Sequence, residues 1–206
     1  MPRTARPIAG GPSLTGTLAL ALALAPALAA EARCPVAADL ASGIRFVYGD
    51  DTSEVYRAGA GGAVVVDGYT GDTLDRRLTL LHGVFLTRYA PIAPDGAEAA
   101  GVSLYDFPPD TPPPAPGATW SGLTRLSEAG QSRDEPQTHV AGPLRSVEIA
   151  GCPYEAFDIS VDFGELAGYS ESLVFMPDLG IGYLAGYAND GGDPRAVDVV
   201  LLEALE

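Results

Sequence analysis

The chain has 206 residues, with 27 acids against 12 bases and a formal charge of −15 at pH 7. It contains no lysine, so every base is an arginine. Charge this negative excludes electrostatic capture by nucleic acid or by an anionic membrane surface, and the missing lysine excludes a phosphate loop of the usual kind. The acids are scattered rather than run together, which is the pattern of a solvated acidic surface.

Residues 1–29 have the layout of a secretory signal peptide. Arg3 and Arg6 precede a Leu/Ala-rich run from Leu18 to Leu28, and Ala27-Leu28-Ala29 gives the small-x-small cleavage pattern. The run is shorter than the roughly 20 apolar residues that a membrane helix needs, and Pro26 interrupts it. Cleavage leaves residues 30–206 as a single β domain with no stable membrane span, in a periplasmic or secreted location. Glu31-Ala32-Arg33 ahead of Cys34 disfavours a lipid anchor there.

Cys34 and Cys152 are the only cysteines. Export places them in an oxidising compartment, where two thiols usually pair. Two free buried thiols are the alternative, but Cys34 lies close to the new N-terminus, where burial is unfavourable. No histidine neighbours either one, so no zinc spacing is present and a disulfide is expected.

Residues 35–43 read as a short helix, with Pro35 in its first turn and Gly43 just past its end. Arg45 to Tyr48 and Glu54 to Arg57 flank the turn cluster Gly49-Asp50-Asp51-Thr52 and read as a hairpin. A break at Gly59 to Gly62 precedes a strand from Ala63 to Val66. Past a turn at Gly71-Asp72, Leu74 to Tyr89 reads as two strands or one bent at Gly83. Residues 90–117 carry six prolines between Pro108 and Pro116, which predicts one extended loop kept out of any central ladder. Polar Ser127 to Thr138 reads as a second loop.

The last third is the most regular. Ser146 to Ile149 is a strand leading to a turn at Gly151-Cys152-Pro153. Phe157, Ile159, Val161 and Phe163 alternate with Asp158, Ser160 and Asp162, a period of two that predicts a strand with one face on the core. Tyr169 to Met176, Ile181 to Tyr187 and Ala196 to Leu202 follow as strands. Pro177 and Gly180 make Pro177-Asp178-Leu179-Gly180 a tight turn. Asn189 to Asp193 is the next turn, and it lacks the alternating ligands and distant glutamate of a calcium loop.

Few residues advertise chemistry. Gly168-Tyr169-Ser170-Glu171-Ser172 lacks the last glycine of a nucleophile elbow and precedes a strand, not a helix. His82 and His139 are the only histidines, and neither has a third ligand or a placed carboxylate in sequence. No catalytic residue, metal ligand or cofactor is therefore assigned. Tyr154, Phe157, Phe163, Tyr169, Phe175, Tyr183 and Tyr187 fall on the closing strands, mostly as core. A curved sheet can leave some of them on an apolar concave face that takes a small ligand, with the proline-rich segment as its cover.

Two stretches, GIRFVYGDDTSEVYRAG at 43–59 and YSESLVFMPDLGIGYLAGY at 169–187, resemble exported bacterial β-proteins of uncharacterised function. Some of those are thought to share the curved half-barrel of lipoprotein carriers (LolA-like). The resemblance covers mainly residues 43–69 and 144–188; it implies a periplasmic half-barrel and transfers no catalytic residue.

The expected protein is thus mainly β: a curved antiparallel sheet or half-barrel with one short N-terminal helix and a long Pro-rich loop. The expected function is non-catalytic, binding a small apolar ligand or a protein partner in the cell envelope. The rival is a periplasmic hydrolase using carboxylates or a histidine assembled by the fold. A cleft that joins His82 or His139 to a buried acid favours the hydrolase, and an apolar concavity with no titrating groups favours the binder.

Overall fold

The computed structural model describes residues 33–164, 168–189 and 192–206. The expected signal segment, 1–29, and the middle of the 189–193 turn lie outside them. Fourteen strands form one antiparallel sheet. Five strands built on alternation pair in succession: β1 (Ile44–Tyr48), β2 (Thr52–Ala58), β3 (Val64–Thr70), β4 (Thr73–Leu81) and β5 (Phe85–Pro91). Ile44, Phe46, Tyr48, Tyr56 and Val66 point to the inner face and are buried. The sheet continues through β6 (Ser103–Asp106), β7 (Thr119–Glu128), β8 (Gln131–Ala141), β10 (Cys152–Asp162), β11 (Tyr169–Met176) and β12 (Ile181–Asn189). β9 (Arg145–Ile149) pairs with the first half of β10, whose second half pairs with β8.

The edges are β13 (Arg195–Ala196), on β12, and β14 (Val199–Ala204), on β1, so the sheet does not close into a barrel. Its curl nevertheless brings β14 near β9. The strand expected from 196 to 202 is therefore two short strands, and the chain crosses from one edge of the sheet to the other between them.

The curl creates two cores, and β11 divides them. Val174 and Met176 join the inner face of β1–β4 with Ile181 and Tyr183. Leu173 and Phe175 face the other way, onto Val84, Phe85, Phe157, Ile159 and Val161. Residues 173–176 are consequently apolar in an unbroken run, as expected of a strand covered on both faces. The turn at Gly83 explains the contact that holds this arrangement. Its φ is +72°, a Cβ there would overlap the Gly180 carbonyl oxygen, and the Gly182 N–H donates to the Gly83 carbonyl at 2.9 Å. Gly83 is thus a turn between two strands, not a kink in one.

Cys34 and Cys152 form the disulfide, with Cα atoms 5.5 Å apart. The Tyr154 hydroxyl donates to the Pro35 carbonyl at 3.0 Å, fixing the same end of the chain. The expected helix is a single 3-10 turn, Ala37–Ala41, and the N–H of Val36 just before it donates to the Asp39 carboxylate at 2.8 Å. Among the described residues no helix is long and apolar enough to cross a membrane.

Two expectations are corrected. β6 lies inside the 90–117 stretch and pairs with both β5 and β7. Residues 127–138, expected as loop, are the end of β7, a two-residue turn at Ala129-Gly130, and most of β8. This hairpin is held by polar cross-strand pairs, Ser121 with Thr138, Arg125 with Asp134 and Ser127 with Ser132, so it lacks an apolar alternation. β8 pairs with β10 only from Thr138 onward, so Pro136 sits where one flank of the strand is unpaired and a missing N–H is tolerated.

Candidate functional site

A cavity of about 170 Å³ opens between β5, the end of β6, β8, β10 and β11. Val84, Leu86, Phe107, Val161, Phe163 and Leu173 form its apolar wall. Tyr105, Glu135, Gln137, His139, Tyr169 and Glu171 supply the polar groups. Strand register explains the gathering. Glu135, Gln137 and His139 alternate along β8 and so share one face. His139 is opposite Val161 on β10, and Val161 is opposite Glu171 on β11, which sets these three in a row across the sheet. On β7, Trp120 lies opposite His139 and folds over Gly122, where a Cβ would come within 2.7 Å of the indole.

The polar groups form two short chains. Gln137 Nε2 donates to Glu135 Oε1 at 3.1 Å, which turns the amide oxygen toward His139 Nε2, also at 3.1 Å. His139 Nε2 is therefore the protonated nitrogen, leaving Nδ1 as an acceptor with no partner. His139 is 7% exposed, and burial pulls its pKa down to about 4, so the ring is neutral at pH 7. It packs against Phe85 and Trp120, with ring centroids 4.8 and 5.4 Å away. In the second chain the Tyr169 hydroxyl donates to Glu171 Oε1 at 2.8 Å. Burial raises the Glu171 carboxyl above the usual carboxylate range, an effect the Tyr169 bond partly opposes. Burial, followed by the nearby Glu135, Glu128 and Glu171, raises the Tyr105 hydroxyl.

His82 is elsewhere. It occupies the β4–β5 turn with φ +53°, and its Nε2 lies 3.1 Å from the Thr111 carbonyl oxygen. It does not line the cavity, and Phe85 packs against both histidine rings. The proline-rich segment does cover something: Pro112, Pro113 and Pro114 roof a small space of about 40 Å³ that also borders His139 and Trp120. Of the aromatic residues singled out in sequence, Phe163 and Tyr169 line the main cavity and stack at 5.6 Å. Phe157 and Phe175 pack in the second core and Tyr183 in the first.

Sequence reading missed Tyr105 and Phe107, at the edge of an assumed loop, and Glu135 and Gln137, inside another. The alternation Glu135-x-Gln137-x-His139 was the available signal. Roomier depressions at the β7–β8 turn and on the outer face of β1–β4 gather at most one aromatic side chain each. Among the described residues no three histidine, cysteine, aspartate or glutamate side chains are grouped to hold a metal ion. Another buried carboxylate, Glu54, is fully engaged: it accepts from the Tyr48 and Tyr56 hydroxyls at 2.8 Å each and pairs with Arg76 at 3.0 Å. Comparison with known proteins finds no matching family profile, no matching curated protein and no matching solved structure.

Proposed function

We propose that this chain is an exported, non-catalytic binding protein that holds a small, mainly apolar ligand in the cavity bounded by β5, β8, β10 and β11. The cavity itself carries the reading: an apolar and aromatic wall with a few convergent polar groups is the usual form of a small-molecule site. An apolar cavity of about 150 Å³ accommodates benzene, so a ligand of roughly that size, or one end of a longer molecule, fits here. Export is supported by the layout of residues 1–29 and by a disulfide, which persists in oxidising compartments.

The hydrolase reading is favoured in one respect, a cavity that joins His139 to the partly buried acid Glu171 and to Glu135, and lacks support in others. His139 is neutral, it is bonded to an amide and not to a carboxylate, and no serine, threonine or cysteine is among the described lining residues. A protein partner has less still, because the exposed apolar residues are divided among the N-terminal segment (Val36), β6–β8 (Leu104, Leu123 and Val140), the β8–β9 connection (Leu144) and β14 (Val200 and Leu201).

Ligand-observed saturation-transfer NMR with toluene tests the proposal, with Trp120 fluorescence as an internal reporter beside His139. Saturable binding is expected in the native protein. Leu173→Trp, which fills the cavity, is expected to abolish it while leaving the strand circular dichroism intact. No binding to folded native protein, or equal binding to the filled variant, would refute the proposal.

A further inference from the structure

The cavity's unmet hydrogen-bonding capacity is one-sided. Glu135 and Glu171 each accept one neutral hydrogen bond there, from Gln137 and Tyr169, and a carboxylate has room for about four. The donors nearby are already turned to these acids, and only the Tyr105 hydroxyl can act either way. Among the described residues no arginine lines the space. Arg133 reaches Glu135 only at 3.7 Å from a largely exposed position. The rings of Phe163 and Tyr169 stack along the wall, with Tyr105 and Phe107 on the β6 side. Aromatic faces carry negative charge density that attracts cations.

Acceptors without donors, acids without bases and aromatic faces all complement the same chemistry. We infer that the cavity takes a small organic ammonium ion, its apolar body against the aromatic wall and its N–H groups on Glu135 and Glu171. The assignment rests on the binding reading above and narrows it. An anionic ligand would meet two glutamates with no compensating charge. A neutral hydrocarbon would leave every acceptor as unmatched as it is in the free protein. The strongly acidic chain adds a long-range field that concentrates cations at its surface.

The test uses three probes of one shape: benzylammonium, benzyl alcohol and benzoate, titrated by calorimetry into the purified protein at pH 7. Benzylammonium is expected to bind at least tenfold more tightly than benzyl alcohol, with benzoate showing no measurable binding. Glu171→Gln keeps the side-chain shape and is expected to bring benzylammonium down to the affinity of the alcohol while leaving the alcohol unchanged. Glu135→Gln is expected to act in the same direction, which keeps the test available if the first variant folds poorly. Equal binding of amine and alcohol, or a preference for the amine that survives both substitutions, overturns the ammonium assignment and leaves the binding proposal standing. If none of the three binds to protein with an intact strand spectrum, both fall.

Discussion

His139 should give the protein an acid-labile limb that one substitution removes. Its pKa stands at about 4 against an ordinary value of 6.5, because burial disfavours the charged ring. At about 1.36 kcal/mol per pH unit, the gap corresponds to about 3 kcal/mol. The unfolded chain takes up its proton near the ordinary value, whereas the folded chain takes it up only near 4. Between those values the unfolded state holds more protons, so stability falls as pH falls through that window and levels off below it. A domain of this size has a net stability of about 5–15 kcal/mol, so the loss is a substantial share. The assay is urea unfolding of the native protein and of His139→Phe at pH steps between 7.5 and 4. Phenylalanine fits the aromatic packing of Phe85 and Trp120 and gives up the Gln137 bond, at a cost of about 1 kcal/mol that does not vary with pH. Glu135, Glu171, Tyr105 and Tyr169 face the same cavity and remain in both proteins, so the difference between the two curves isolates the histidine. The stability of the native protein relative to the variant should be flat near neutrality and fall by about 3 kcal/mol toward pH 4, where the variant becomes the more stable. Parallel curves would refute the burial argument.

Two further predictions concern the fold. The disulfide spans 118 residues of sequence, and chain entropy assigns a closed loop of that size about 5 kcal/mol; Cys34→Ser and Cys152→Ser should therefore lower the melting temperature by nearly equal amounts, and unequal effects would show that packing around one cysteine dominates. Gly83→Ala should destabilise far more than Gly180→Ala, although both glycines have positive φ, because only the first has no space for a Cβ; roughly 1 kcal/mol is expected for Gly180→Ala, and equal losses in chemical denaturation would refute the close approach of the two turns.

How legible each region was depends on what its faces touch. The strand at 157–163 was plain because Phe157, Ile159 and Val161 meet the core while Asp158 and Ser160 meet water. The turn at 177–180 was plain because Pro177 and Gly180 each have one conformational use. The disulfide followed from the export layout and a count of two. The 127–138 hairpin was hidden because its outer pairs are serines, threonines and ion pairs, and because its inner face is a cavity wall and not a core. A strand that presents Glu135, Gln137 and His139 inward is polar on both sides, so the contrast that reveals strands disappears where the ligand side chains are. β6 was hidden for a different reason: four residues between proline-rich segments carry too little alternation to register. Glu171 was in view, but as part of a failed nucleophile elbow; only the register that sets it beside Val161 gives it a role.

The distribution of satisfied and unsatisfied groups separates the site from the scaffold. Elsewhere the protein pairs its buried charge closely: Glu54 with two tyrosines and Arg76, and Asp67 with Arg57 at 2.9 Å and Arg77 at 2.6 Å. Gly68 stands opposite Arg76 without a side chain, which lets the guanidinium lie across the sheet to reach Glu54. Among the described residues three buried side-chain atoms lack a hydrogen-bond partner, and one of these, Arg45 Nε, lies 3.2 Å from Glu203 Oε1 in an ion pair. The other two are His139 Nδ1, on β8, and Thr124 Oγ1, opposite Glu135 on the neighbouring strand. A buried polar group left unpaired costs about 1–3 kcal/mol. Both atoms lie on the β7–β8 hairpin, so the fold gives up stability there.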